Sequence, residues 1–328
     1  MRSASATAHA SCWSGRRSRS SNAATSPRCA LANQLPNVVD VTDVDVALEL
    51  GLVAAWGAST DAARRWCEHA ERLIATSGAD VDPDDATDRV VQIRRLAGAL
   101  ATLDADLTSA ISAVESTPLP RLDQSSRRFD VHVATVTARA LLAARHPLVH
   151  EWIDRISVLD ESTIVAQAMV PTLRAWLAWI DGDLHTAREL SEQSIAWMEE
   201  HHVDAHHWGF DCYITAGWCR LSSGDLDGAA LLAAKSREVA DAIPCIWNQL
   251  QAAFLSGGVE LTAGQPGDVI RAVEEIRETV GFSTISGYAD RLIHLAAEAA
   301  IADGRNDLAL AYASELSPGP YRQLIRAR

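Results

Sequence analysis

Three groups of side chains have the types and spacing to do chemistry. His201, His202, His206 and His207 crowd together with Glu199, Glu200, Asp204 and Cys212. His202 and His206 stand four residues apart, the interval at which two imidazoles on one helix reach a single metal ion. The glutamate that follows the first histidine of H-E-x-x-H is missing, and the segment falls between two helical stretches, so a solvated His-rich connection is read here in preference to a metal or pH-sensing site. The run Asp80-Val81-Asp82-Pro83-Asp84-Asp85, with Asp88 beyond, has the carboxylates of a calcium loop. A proline interrupts it, and the turn glycine and closing glutamate are absent, so it reads as a polar linker that caps the next helix. Tryptophan supplies 10 of the 18 aromatic residues, and Trp176, Trp179, Trp208, Trp218 and Trp247 gather in the centre of the chain. Indoles there either offer stacking faces to a sugar, a peptide or an aromatic metabolite, or fill gaps between small Ala-rich helices.

Enzyme chemistry finds little to use. Serine, histidine and aspartate all occur, but no G-x-S-x-G elbow assembles a nucleophile. Of 29 basic residues only Lys235 is a lysine, and the residues before it lack the glycines with which a P-loop hugs phosphates. The same scarcity removes Schiff-base chemistry elsewhere, and Lys235 itself lies in a run that reads as an ordinary exposed helix. The chain is therefore expected to have no catalytic residues, no metal and no cofactor, and to be no enzyme.

Charge and cysteine usage bound the partners. Residues 1–30 hold five arginines and no acid, leaving 24 bases against 43 acids for residues 31–328, a net −19. Such a surface repels phosphate backbones, so no direct nucleic-acid binding is expected. Cys12, Cys29, Cys67, Cys212, Cys219 and Cys245 form no C-x-x-C pair and read as reduced, mostly buried thiols of a cytoplasmic protein. No apolar run is long enough for a membrane span. Residues 1–40 read as a disordered Ser/Arg-rich leader with no apolar signal core, although an acid-free segment of this kind also suits a transit peptide or basic arm.

The elements that would position any site repeat. Gly182, Gly224, Gly264 and Gly304 follow one another at 42, 40 and 40 residues, and each is preceded by seven residues by a small one: Ala175, Gly217, Gly257 and Ala297. Carried backwards, the series takes in Gly98 with Asp104-Ala105-Asp106-Leu107, and Ala138 with Arg145-His146-Pro147; an earlier unit lies around Leu50, Gly57 and Ala62. Apolar residues recur at three- and four-residue spacing on both sides of each turn, which predicts a helical hairpin. Gly224 suits the left-handed position that ends the first helix, and Asp183 and Asp225 suit the N-cap of the second. The small residue midway along the first helix is expected to let the second helix approach closely. Pro171 is expected to mark a helix start near Val170. One hairpin of about forty residues cannot bury both faces, so six or seven units must stack into an all-α solenoid over residues 41–328.

The order of small residue, turn Gly-Asp and following alanine, clearest in Tyr213, Gly217, Gly224-Asp225 and Ala229, resembles the tetratricopeptide repeat. Its period of about 40 is longer than the usual ~34, and consensus apolar positions are often small, as at Ala233 and Ser191. Longer, Ala-rich repeats of this kind are similar to the helical-repeat region of the large ATP-binding LuxR-type (maltose-regulator-like) transcription regulators, and the likeness covers residues 45–325. The resemblance implies a right-handed solenoid acting as a non-catalytic sensor or protein-interaction segment, between an ATPase and a helix-turn-helix module that this chain lacks. It further implies that first helices line a concave groove, where Arg174, Trp176, Trp208, Tyr213, Trp218 and Arg220 would bind a protein or small-molecule effector. The alternative is a standalone scaffold for a protein or peptide partner. Pro320-Tyr321-Arg322-Gln323-Leu324-Ile325-Arg326 reads as the opening of a further first helix whose turn would fall beyond residue 328, so the solenoid is expected to be the truncated piece of a longer regulator.

Overall fold

The computed structural model describes residues 40–56, 59–76, 83–120, 122, 128–158, 165–202, 207–243, 245–283, 285, 288–318 and 320–327. All regular structure among them is helical. Successive pairs are α1 (Val44–Trp56) with α2 (Thr60–Thr76), α3 (Pro83–Leu103) with α4 (Leu107–Glu115), and α5 (Arg128–Ala144) with α6 (Val149–Ile156). A π-helical turn (Val165–Met169) leads into α7 (Val170–Ile180), which pairs with α8 (Leu184–Glu200). Then come α9 (His207–Ser222) with α10 (Leu226–Ala242), α11 (Ile246–Thr262) with α12 (Pro266–Thr279), α13 (Ala289–Ala302) with α14 (Asn306–Glu315), and α15 (Pro320–Ala327). As the proline implied, α7 starts at Val170 with Pro171 in its first turn.

Six of the hairpin turns are built alike. A left-handed residue stands at Ala105, Arg145, Gly182, Gly224, Gly264 and Gly304, with φ between 50° and 86°. The next residue's N–H reaches back five places to a helix carbonyl: Asp106 to Ala101, His146 to Leu141, Asp183 to Ala178, Asp225 to Arg220, Gln265 to Glu260 and Arg305 to Ala300, all at 2.8–2.9 Å. This paired closure satisfies carbonyls that a helix end leaves open. Asp106, Asp183 and Asp225 then accept from the N–H groups of Ser109, Thr186 and Gly228 at 3.1, 3.1 and 2.9 Å, which opens α4, α8 and α10. In α12, Pro266 in the first turn takes that place, since its missing N–H would be unpaired there in any case. The turn expected at Gly57 lies outside the described residues.

Helices of 8 to 21 residues are too short to be stable singly in water, so packing must hold them. Each helix packs against the next in sequence, and each first helix also packs on the first helix of the following pair: α1 on α3, α3 on α5, and so on to α13 on α15. One apolar core runs from Val44 to Ile325. The small residues Gly98, Ala138, Ala175, Gly217, Gly257 and Ala297 are all buried. Their partners differ from expectation. A Cβ on Gly98 would lie 2.8 Å from Ala113 of α4, its own second helix, but one on Gly217 or Gly257 would meet Leu255 or Leu295 of the next first helix at 2.6 and 2.7 Å. In the later pairs the small residue thus serves contact between neighbouring pairs, because it lies where successive first helices cross.

First helices also meet beyond their neighbours, α1 with α5 and α3 with α11. The side on which they meet is the inner side of the molecule.

Candidate functional site

The inner side is filled by a chain of polar and aromatic groups. Arg139 is the lone charge in the apolar run of α5 between Val133 and Ala144. Its Nε lies 2.6 Å from Oδ2 of Asp211 on α9, with 0% and 1% of the two side chains exposed. The other carboxylate oxygen accepts from Trp247 Nε1 of α11 at 3.4 Å. Trp247 is flanked by the rings of Trp176 on α7 and Tyr288, each 6.0 Å away. Arg291 at the start of α13 lies 5.5 Å over the Tyr288 ring and donates to the Ala143 carbonyl at the end of α5. Burial pushes the Asp211 carboxyl up, while Arg139 and the Trp247 N–H pull it back down. Fully buried charges are rare unless paired, so a solitary arginine in an apolar helix is the sequence signal that reveals such a site. It was passed over because its partner is 72 residues away in the chain.

A cavity of about 20 Å³ adjoins the pair, lined by Leu52, Leu96, Val136, Arg139, Cys245 and Asn248 among others. That is room for about one water, well below what a metabolite needs.

The six proposed groove residues divide. Trp176 and Tyr213 are buried, at 5% and 2% exposure, and Tyr213 has Lys235 of α10 5.3 Å above its ring. Truncating Trp176 to alanine removes a core indole, a change that costs about 3–5 kcal/mol, so it cannot serve as a fold-neutral probe of ligand binding. Arg220 is tied to Glu192 at 2.9 Å and Asp225 at 3.0 Å, bridging α8 to the N-cap of α10. Trp218 lies half-buried between Trp179, 6.1 Å away, and Phe254, 4.8 Å away. Arg174 is exposed. The side chain of Trp208 lies outside the described residues. These six therefore do not line one open surface: the indoles lie largely in the gaps between Ala-rich helices.

Compared with protein-family models, curated proteins and solved structures, the chain matches none.

The remaining candidate groups have structural surroundings. His201 stacks on Trp197 at 4.2 Å and bonds its carbonyl through Nδ1 at 2.8 Å. His202 ends α8 with a left-handed φ of 55°, and residues 203–206 lie outside the described residues, so no continuous helix joins it to His206. Among the described residues no group of three or more His, Cys, Asp or Glu side chains is placed to hold a metal. In the acidic run, residues 80–82 are outside the described residues and α3 starts at Pro83, so its last aspartates are helical, not linker. Cys67, Cys212, Cys219 and Cys245 are free and buried. Burial pushes Cys67 and Cys212 up to about 12 and Cys219 and Cys245 up to about 11, which leaves almost no thiolate at neutral pH. Lys235 pairs with Glu199 at 2.5 Å. No described helix is long and apolar enough to cross a membrane.

Proposed function

We propose that this chain is a right-handed, tetratricopeptide-like solenoid that serves as the non-catalytic binding and sensing segment of a LuxR-type transcription regulator in the cytoplasm. The observation that carries the reading is the turn: one left-handed residue with one backbone closure, six times over, at steps of 37 to 42 residues. Repetition of this kind is the mark of an array whose surface, not a catalytic centre, does the work. The inert thiols and the paired state of Lys235 fit a role without group transfer. Partners meet the array on the first-helix surface left open by the filled inner side, of which the half-buried strip Trp179, Trp218 and Phe254 is the aromatic part.

The test is to sequence the genomic locus and its transcript on both sides of the reading frame. The expected result is a P-loop module upstream and a basic helix-turn-helix downstream, in this frame or another. Unrelated genes on both sides would contradict the regulator and leave a standalone scaffold for a protein or peptide partner, to be pursued by identifying that partner.

A further inference from the structure

In an array whose units touch only their neighbours, curvature is the sum of many small rotations, and no single side chain sets it. Here a few long-range ties do. Arg139 and Asp211 bridge α5 to α9 past an intervening pair, Asp211 also holds Trp247 of α11, and Trp247 abuts Tyr288. Arg291 returns from α13 to the Ala143 carbonyl, one turn beyond Arg139 on α5. The circuit begins and ends on α5, and its only full charge pair is Arg139 with Asp211.

We propose that the Arg139–Asp211 pair is the clasp of a two-state array. With the pair made, the inner side is shut; with it broken, α5 parts from α9 and α11, and the inner faces of those helices reach solvent. This deepens the binding reading and rests on it, since the open state is the one whose inner side accepts a partner, which then acts by selecting that state. The physical reason for two states is the ion pair itself. A charge left buried without its counter-charge is strongly unfavourable, so loss of one member drives separation and hydration, not a slight adjustment. The closed state also carries a cost that opening relieves. Asn248 Oδ1 and Gln251 Nε2, both on α11, are buried with no hydrogen-bond partner, and exposure would hydrate them, which keeps the two states close in free energy.

Cys245 reports the clasp directly, because it is buried beside Arg139 at the cavity. Cys67 on α2 and Cys219 on α9, whose charged neighbours belong to α8, lie away from the seam and serve as internal controls. The experiment is alkylation of the full native chain with iodoacetamide, read thiol by thiol by peptide mass spectrometry, in the absence of any partner. For Asp211→Asn the expected result is labelling of Cys245 faster by about tenfold or more, with Cys67 and Cys219 unchanged. The double replacement Arg139→Met with Asp211→Leu, which removes both charges, is expected to return Cys245 to the wild-type rate or below. Arg291→Ala, outside the pair, is expected to raise Cys245 alone by a smaller factor, and it decides the matter if Asp211→Asn unfolds the whole chain. An unchanged Cys245, or an equal rise at all three thiols in Arg291→Ala, overturns the clasp. Neither result bears on the flanking genes, so failure of the clasp and failure of the regulator reading are told apart.

Discussion

Gly98 and Arg145 show how much one residue decides in a structure made of close helix crossings. A methyl on Gly98 would sit 2.8 Å from the Ala113 Cβ, and alanine has no rotamer with which to move aside. Gly98→Ala is therefore expected to destabilise by about 1–2 kcal/mol, overpacking outweighing the gain in helix propensity, as a fall in the urea midpoint at constant slope would show. Arg145 is exposed yet holds a φ of 50°, a conformation that strains any residue with a Cβ. Arg145→Gly is expected to stabilise by about 0.5–1 kcal/mol in the same assay; a loss would mean that its side chain does more than tolerate the turn. At this scale the sequence was legible where the demand was local. Gly224 declared a left-handed turn, but the neighbour of Gly217 could not be read, because it lies on a different pair of helices. The indoles were misplaced for the same reason: Trp176 has the composition of a binding residue, and only the ring of Trp247 beside it makes it core.

Among elements, the hairpin was the most readable unit, since its signals lie within a few residues of the turn. Asp183 and Asp225 accept helix N–H groups, and those hydrogen bonds hold both carboxyls below the usual aspartate range. A depressed folded value means that the stabilisation is present above the unfolded aspartate range and is lost as pH falls through the folded value. Asp225→Asn keeps an acceptor for the cap but has no proton to take up. Its stability is expected to fall less steeply than that of the wild type as the solution is acidified through the carboxylate range, a comparison that urea midpoints at stepped pH provide. Equal slopes would mean that the Asp225 cap contributes nothing to acid sensitivity. The helix ends at His202 and Pro83 were less legible than the Gly-Asp turns. A histidine in the left-handed region and a proline in a first turn each satisfy the geometry without the usual residue.

For the whole molecule, the stack of hairpins followed from length and period, but its closure did not. Repeats seen as a sequence suggest an open array with a groove. The contacts of α3 with α11, and of Arg291 with Ala143, join parts of the chain 148 residues apart in the second case, and no local pattern encodes them. They change what a partner meets, since the surface that an open array would offer is here packed with Arg139, Asp211, Trp247 and Tyr288. The most direct test of this closed arrangement is small-angle X-ray scattering of the full chain in dilute solution. A shut inner side predicts a radius of gyration near the ~20 Å of a compact chain of this length, with a single-peaked distance distribution. A markedly larger radius, with the long-tailed distribution of an extended rod or open superhelix, would contradict it.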